Sequence, residues 1–294
     1  MNNNTLPHVT TLLPQSSRDS CIGMLLRESG KITADDVERV LRLQEKHGTR
    51  FGEAAQSLGL VSHKDIQQVL ARQFNYPYLQ PGEEKYPAEL VAAYQPFTAQ
   101  VEAYRALRSQ LMLRWFISGR KALALVSVDS NNGASLLIAN LGVLFSQLGT
   151  QTLIMDANLR DPRQHQIFDL KGRQGLSDIL AGRAGVESIA KVKSFADLSI
   201  LPAGTVAPNP LELISRTTFN DLTEGLSTRF DIMLIDTPAY LRATDAMAIA
   251  SVVGGVLLVA SRDKTRLGDV ERISEQLTRI GVEVVGSVLV ETEG

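Results

Sequence analysis

The stretch "LALVSVDSNNGASLLIANLGVLF", Leu123 to Phe145, decides how the rest of the chain is read. An apolar run, Leu123 to Ser127, leads into a polar turn and then into a helix-like apolar segment. A phosphate-binding protein carries G-x-x-x-x-G-K-[ST] at such a junction. Gly133 and Ser135 stand at two of those positions, but Ala134 occupies the lysine's. A working phosphate loop, a degenerate one and an ordinary turn are all open at this point.

From Lys121 onward, apolar runs alternate with amphipathic ones. "ALALVS", "QTLIMD", "DLSILPA", "FDIMLID", "GGVLLVA" and "VEVVGSVLV" read as strands. "ASLLIANLGVLFSQLG", "NPLELISRTTFNDLTEGLS", "ATDAMAIASVV" and "RLGDVERISEQLTRIG" read as helices between them. Near-continuous apolar strands predict a mostly parallel sheet covered on both faces, an α/β doubly wound fold. Ligands of such sheets bind at the carboxyl ends of the strands. Three strand ends carry polar chemistry: "VSVDSNNGAS", "LIMDANLRDPR" ending at Asp156, and "FDIMLIDTP" ending at Asp236. A single strand-end aspartate most often caps the next helix. Three such ends in this order, beside a loop of this shape, favour a nucleotide site with Mg²⁺ ligands.

The bulk composition narrows the function classes. A chain of 294 residues, 44% hydrophobic and 21% charged, can bury a real core in two domains. A formal net charge of -2 argues against a nucleic-acid-binding role. One cysteine, Cys21, rules out an internal disulfide, and four scattered histidines give no zinc pattern. The most apolar window, Ala246 to Ser261, is shorter than the ~20 residues of a spanning helix. A cytoplasmic protein is expected, with residues 1–19 as a disordered leader.

Residues 20–80 contain a duplication. "CIGMLLRESGKITADDVERVLRLQ" (Cys21 to Gln44) aligns without a gap on "RFGEAAQSLGLVSHKDIQQVLARQ" (Arg50 to Gln73). Gly23 and Gly52, Gly30 and Gly59, Asp36 and Asp65, Gln44 and Gln73 are all 29 residues apart (52 − 23, 73 − 44). Thr33 and Ser62 are predicted helix N-caps, each with an aspartate three residues on. Val37, Val40, Leu41 and Ile66, Val69, Leu70 supply i, i+3, i+4 apolar faces. A small helical domain is expected, joined by a linker over 81–95 to a domain over 96–294.

Residues 96–294 resemble the bacterial tyrosine kinases of exopolysaccharide synthesis (BY-kinases), in the free-standing chain-length determinant form. Besides the strand ends, the matching pieces are "VEAYRALRSQLMLR", "FSQLGTQTLIMDANLRDPRQHQIF", "GLSDILAG", "LPAGTVAPNPLELI" and "GVEVVGSVL". The resemblance implies a P-loop NTPase-like fold using ATP and Mg²⁺. It assigns catalytic roles to Asp156, Arg160 and Asp236, and metal binding to Ser135, Asp156 and Asp236. Residues 131–135 (Asn131, Asn132, Gly133, Ala134, Ser135) fall on the ATP loop. Glu102, Arg105 and Arg108 match E-x-x-R-x-x-R, placed by the family at a ring-forming interface. Read by itself, that motif is a solvated helix face with internal ion pairs.

The departures from the family pattern cluster at the phosphates. Glycine is expected near Asp129 and Asn131, lysine at Ala134, aspartate at Asn158 and asparagine near Val290. Loss of one well-aimed charge-stabilising group typically costs roughly 3–4 kcal/mol at a transition state. Asp129 is expected to place a like charge in the anion nest, on the order of 4 kcal/mol at ~4 Å and an effective dielectric of 20. A degenerate site and vestigial catalytic residues are therefore expected. An arginine from a neighbouring ring subunit is the contrary reading. The last tyrosine is Tyr240, so the tail "VETEG" has no counterpart of the family's tyrosine cluster.

The repeat resembles the N-terminal domain of type II secretion and pilus ATPases, in a form that binds cyclic di-GMP. The second copy carries the pattern in Arg50, Phe51, Gly52, Gly59, Leu60, Val61, Ile66, Leu70 and Gln73. The first copy has Cys21 for the arginine, and Arg27 and Lys31 at apolar positions. Cyclic di-GMP binding through Arg50, Gln44 and Gln73, or a docking domain that keeps only the fold, are both implied. The resemblances together lead to three expected functions: a scaffold or chain-length regulator with a degenerate ATP site, an active tyrosine kinase, or a cyclic di-GMP-responsive regulator. Expected partners are the cytoplasmic segment of a membrane chain-length determinant and further copies or paralogues in a ring. Recruitment to the inner face of the cytoplasmic membrane would follow.

Overall fold

A computed structural model describes residues 15–73, 78–79, 86–129 and 133–291, with helical backbone alone for 15–21 and 72–73. The chain divides between Pro77 and Tyr78 into two units.

The first unit is built from α1 (Gln15–Glu28), α2 (Ala34–His47), α3 (Phe51–Ser57) and α4 (His63–Gln73). Residues 15–19, read as leader, belong to α1, while 1–14 lie outside the described residues. Both predicted caps form. Thr33 Oγ1 accepts from Asp36 N at 3.2 Å while Thr33 N donates to Asp36 Oδ2 at 3.0 Å. Ser62 and Asp65 repeat the exchange at 3.2 and 2.9 Å. The turns before them need a left-handed residue, supplied by Gly30 at φ +69 and Gly59 at φ +68. Leu26, Val40, Phe51, Ile66 and Val69 meet in one apolar core. Leu41 departs from its expected face and is 42% exposed. Lys31, out of place in the apolar pattern, pairs with Asp65 at 2.8 Å. Hydrogen bonds from Lys31 and Ser62 lower the Asp65 pKa to about 2.

The second unit holds β1 (Ala122–Ser127), β2 (Thr152–Asp156), β3 (Ala190–Lys191), β4 (Leu198–Leu201), β5 (Ile232–Asp236), β6 (Gly255–Ser261) and β7 (Glu283–Val290). Their order is β3-β4-β2-β5-β1-β6-β7, all parallel except the edge strand β3. This is the doubly wound, P-loop NTPase-like sheet expected, with β3 an addition that two residues of chain could not signal. The chain winds from β1 toward β2 on one side and later to β6 on the other. The switch point is therefore the carboxyl end of β1.

Alternate residues of β1 feed opposite cores: Leu123 and Leu125 on one face, Ala124 and Val126 on the other. The first face is covered by α5 (Val91–Tyr94), α6 (Ala99–Arg114) and α7 (Gly133–Ser146). Gly142 lets α7 settle on β2, since a Cβ there would lie 2.4 Å from Ile154 Cδ1. The opposite face carries the helices Thr217–Ser227, Asp245–Val253 and Leu267–Arg279, through Phe219, Ile249 and Leu277. The segment 209–227, read as one helix, breaks at Ser215 into two.

Residues 86–95, read as linker, pack into this core: Leu90, Ala92 and Ala93 are fully buried. The buried amide of Asn140 holds them to α7, accepting from Ala92 N at 2.9 Å and donating to Glu89 O at 3.1 Å and Leu136 O at 3.0 Å. The polar residues around that short apolar patch hid it from periodicity.

Candidate functional site

β2 and β5 are neighbours in register, and Asp156 lies directly opposite Asp236 at their carboxyl ends. Both carboxylates are fully buried. Asp156 Oδ2 accepts from the backbone N–H groups of Arg163 and Gln164, each at 3.0 Å. Asp236 Oδ2 accepts from Gln164 Nε2 at 2.7 Å, and that same nitrogen donates to Ser135 O at 3.0 Å. The Ser135 side chain also favours the ionised Asp236 carboxylate. Gln164 thus ties the start of α7 to the end of β5. Its position, eight residues past Asp156, carries no motif signal, and the sequence reading missed it.

Burial, and next the charge of Asp236, push the Asp156 pKa well above the usual carboxylate range. Burial raises Asp236 to about 6, partly offset by Gln164 and Ser135. Asp156 Oδ1, Asp236 Oδ1 and Gln164 Oε1 are buried with no hydrogen-bond partner among the described residues. Orphaned oxygens on paired carboxylates are costly unless a hard cation or its bound water completes them. The donor set of Asp156, Asp236 and the Ser135 hydroxyl fits the oxygen ligation that Mg²⁺ prefers.

The phosphate side differs. Asn131 and Asn132 lie outside the described residues; Gly133 opens α7, followed by Ala134 and Ser135. Ala134, at the lysine position, is 3% exposed and packs with its methyl against the apolar core. Asp129, expected to bring a negative charge to the loop, is held by side chains from β6 and beyond. Its carboxylate accepts from Ser261 Oγ at 3.2 Å and from the Thr265 hydroxyl. Those hydroxyls, at and beyond the end of β6, fix where the carboxylate sits. Asn158 closes a local turn with Asp161, donating to Asp161 O at 2.8 Å and accepting from Asp161 N at 3.1 Å.

A cleft of about 580 Å³ opens over these residues, lined by Ala134, Ser135, Asn158, Arg160, Arg163 and Arg242, among others. Arg160, expected in a catalytic role, makes a two-pronged ion pair with Asp245, at 2.7 Å from Nε and 3.0 Å from Nη2. Asp245 is 1% exposed and Arg160 47%, so the pair anchors the turn after β2 to the helix Asp245–Val253. Sequence reasoning missed both Asp245 and the other two arginines, because their partners and neighbours are distant in the chain.

Glu102 pairs with Arg105 within α6, and Arg108 Nη1 donates to Leu144 O of α7 at 2.8 Å. Val290, at the end of β7, uses its carbonyl to accept from Arg262 N at 2.9 Å. In the first unit, Arg50 is exposed at the start of α3 and Gln44 half-buried in the last turn of α2. The Gln73 side chain lies outside the described residues. Among the described residues no group of three or more histidine, cysteine or acid side chains is placed to share a metal, and no helix is long and apolar enough to cross a membrane.

No family model matches the chain. CapB of Staphylococcus aureus is 34% identical over 195 residues, 66% of this chain and 86% of CapB. The tyrosine-protein kinase Wzc of Salmonella typhi is 34% identical over 202 residues, 69% of this chain. The match spans only 28% of Wzc's length. The solved kinase domain of the Escherichia coli tyrosine kinase ETK superposes with a TM-score of 0.67 at 26% identity, covering 74% of this chain and 86% of that one.

Proposed function

Because the chain belongs to the bacterial tyrosine kinase (BY-kinase) family of exopolysaccharide biosynthesis, we propose that it serves that machinery as a scaffold or chain-length regulator with a degenerate ATP site. The observation that carries this reading is the buried methyl of Ala134 where a triphosphate needs an ammonium group. Bound Mg·ATP supplies the transferable phosphoryl group to kinases, whose catalysis rests on positioning and charge neutralisation. Here Asp156, Asp236 and Ser135 would hold the metal, and Gln164 keeps the two acids and the start of α7 together. No lysine follows Gly133 to draw charge off the terminal phosphates. The Glu102, Arg105, Arg108 segment is proposed as the assembly surface, toward copies of this chain or paralogues. The cytoplasmic segment of a membrane chain-length determinant is the proposed partner, which would bring the protein to the inner membrane face.

Purified protein with Mg·ATP should show no tyrosine phosphorylation and negligible ATP turnover, while light scattering detects assembly without nucleotide. Sustained turnover by the wild-type chain would overturn the proposal in favour of an active kinase, the alternative that the intact acid pair supports.

For the first unit, a docking role is proposed, with cyclic di-GMP binding as the competing reading. The Lys31–Asp65 pair occupies the first copy's counterpart of an apolar position, which favours docking. Calorimetry of the whole protein against cyclic di-GMP should give no heat at micromolar ligand; saturable binding abolished by Arg50→Ala would establish the competing reading.

A further inference from the structure

The cleft beside Ala134 gathers positive charge from outside the phosphate loop. Of its three arginines, Arg160 is committed to Asp245. Arg163 is half-buried and Arg242 exposed, and neither guanidinium has a hydrogen bond or ion pair among the described residues, although the charge of Arg163 favours the ionised form of Asp236. Asp161 is the acidic group on the lining, and its side chain is exposed. Arg163 is fixed at its root, because its backbone N–H donates to Asp156. Arg242 follows the loop that Tyr240 N and Leu241 N pin to Ser127 O and Val128 O at the end of β1, at 2.8 and 3.2 Å. Two cationic side chains on anchored segments thus converge on the same cleft as Ser135. Beneath them sit two buried carboxylates with orphaned oxygens.

A divalent cation alone would satisfy the carboxylates in place of Arg163 and leave both arginines uncompensated. A bare anion would do the reverse and meet the acid pair. A metal-bound phosphate chain satisfies both at once, because its magnesium faces the acids and its outer oxygens accept from guanidinium forks. The volume of about 580 Å³ also suits a nucleotide-sized ligand.

We propose that Arg163 and Arg242 replace, from within the same chain, the anion grip that the loop has lost, making the cleft a site for a magnesium-bound nucleoside diphosphate. This rests on the degenerate-site reading and deepens it: the ligand is held as an occupant of the scaffold, by side chains from outside the phosphate loop. Ring subunits need donate no arginine for the grip.

The test is calorimetric titration of the full chain with Mg·ADP and, separately, with magnesium pyrophosphate. Wild type, Arg163→Gln, Arg242→Gln, the double variant and an exposed control, Arg279→Gln, are compared, with thermal melts verifying that each is folded. Wild type should bind both probes, and each cleft substitution should weaken both by about 10-fold, the worth of one charge-assisted hydrogen bond. The control should match wild type. Undiminished affinity in the folded double variant, or no binding of either probe to wild type at millimolar concentration, would overturn the proposal. Loss confined to Mg·ADP, with pyrophosphate unaffected, would also overturn it, because the arginines would then not be gripping phosphate. The degenerate-site reading fails by a different observable, wild-type ATP turnover, whatever these affinities prove to be.

Discussion

An Ala134→Lys chain should bind Mg·ATP about 100-fold more tightly than wild type, the scale on which one well-aimed charge-stabilising group acts. Position 134 is the second residue of α7, and its side chain borders the cleft next to Ser135. A lysine rooted there would carry its stem past the apolar contacts of the present methyl and into the cleft, where the orphaned acids favour a cation even before nucleotide arrives. The metal-binding half of the site needs no repair. Competition calorimetry with a fluorescent ATP analogue reads the difference directly, and equal affinities in the two chains would show that the loop was never the deficit. Restored binding need not restore phosphotransfer, since Asn158 stays locked in its turn with Asp161.

Removing one acid of the buried pair should stabilise the metal-free protein and abolish its response to magnesium. Asp236 titrates near 3.8 when exposed and at about 6 in the fold, chiefly because burial penalises its charge. Between those values the folded state holds more protons than the unfolded one. Stability therefore falls as pH rises from about 4 to 6 and levels off above, and the raised Asp156 extends the decline upward. Asp236→Asn keeps an oxygen to accept from Gln164 Nε2 and eliminates the repulsion with Asp156. Above pH 7 it should stabilise the apoprotein by on the order of 1–3 kcal/mol. Wild type should melt higher in magnesium at neutral pH, whereas the variant should not. A wild-type melting temperature that rises with pH, or a variant that still responds to the metal, would refute the picture of an acid pair awaiting a cation.

How much of this was readable in advance depended on distance along the chain. The six parallel strands announced themselves because each is a short, nearly unbroken apolar run. Asp156 and Asp236 stood out because a charge at the tip of such a run is conspicuous. Both capping boxes were legible because their partners are three residues apart. Gln164 was invisible because its partner Asp236 lies 72 residues away, and the anchoring of Asp129 because Thr265 lies 136 away. The same limit hid Asp245 behind Arg160. Arg163 and Arg242 looked like ordinary surface arginines until the fold brought them to one cleft. The alanine in place of a lysine at 134 was plain in the sequence; what that position packs against was not.

The tuck of residues 86–95 against α7 has a practical corollary for dissecting the molecule. Severing the chain at 96 would strip Asn140 of two of its three bonds, strand a polar amide in an apolar setting and bare the outer side of α7. That helix begins at the cleft beside Ser135, so damage there would masquerade as a functional defect. An excised sheet domain must therefore retain the chain from before Tyr86, and Leu79, whose N–H donates to Ala93 O at 2.8 Å, marks how far upstream the cut belongs.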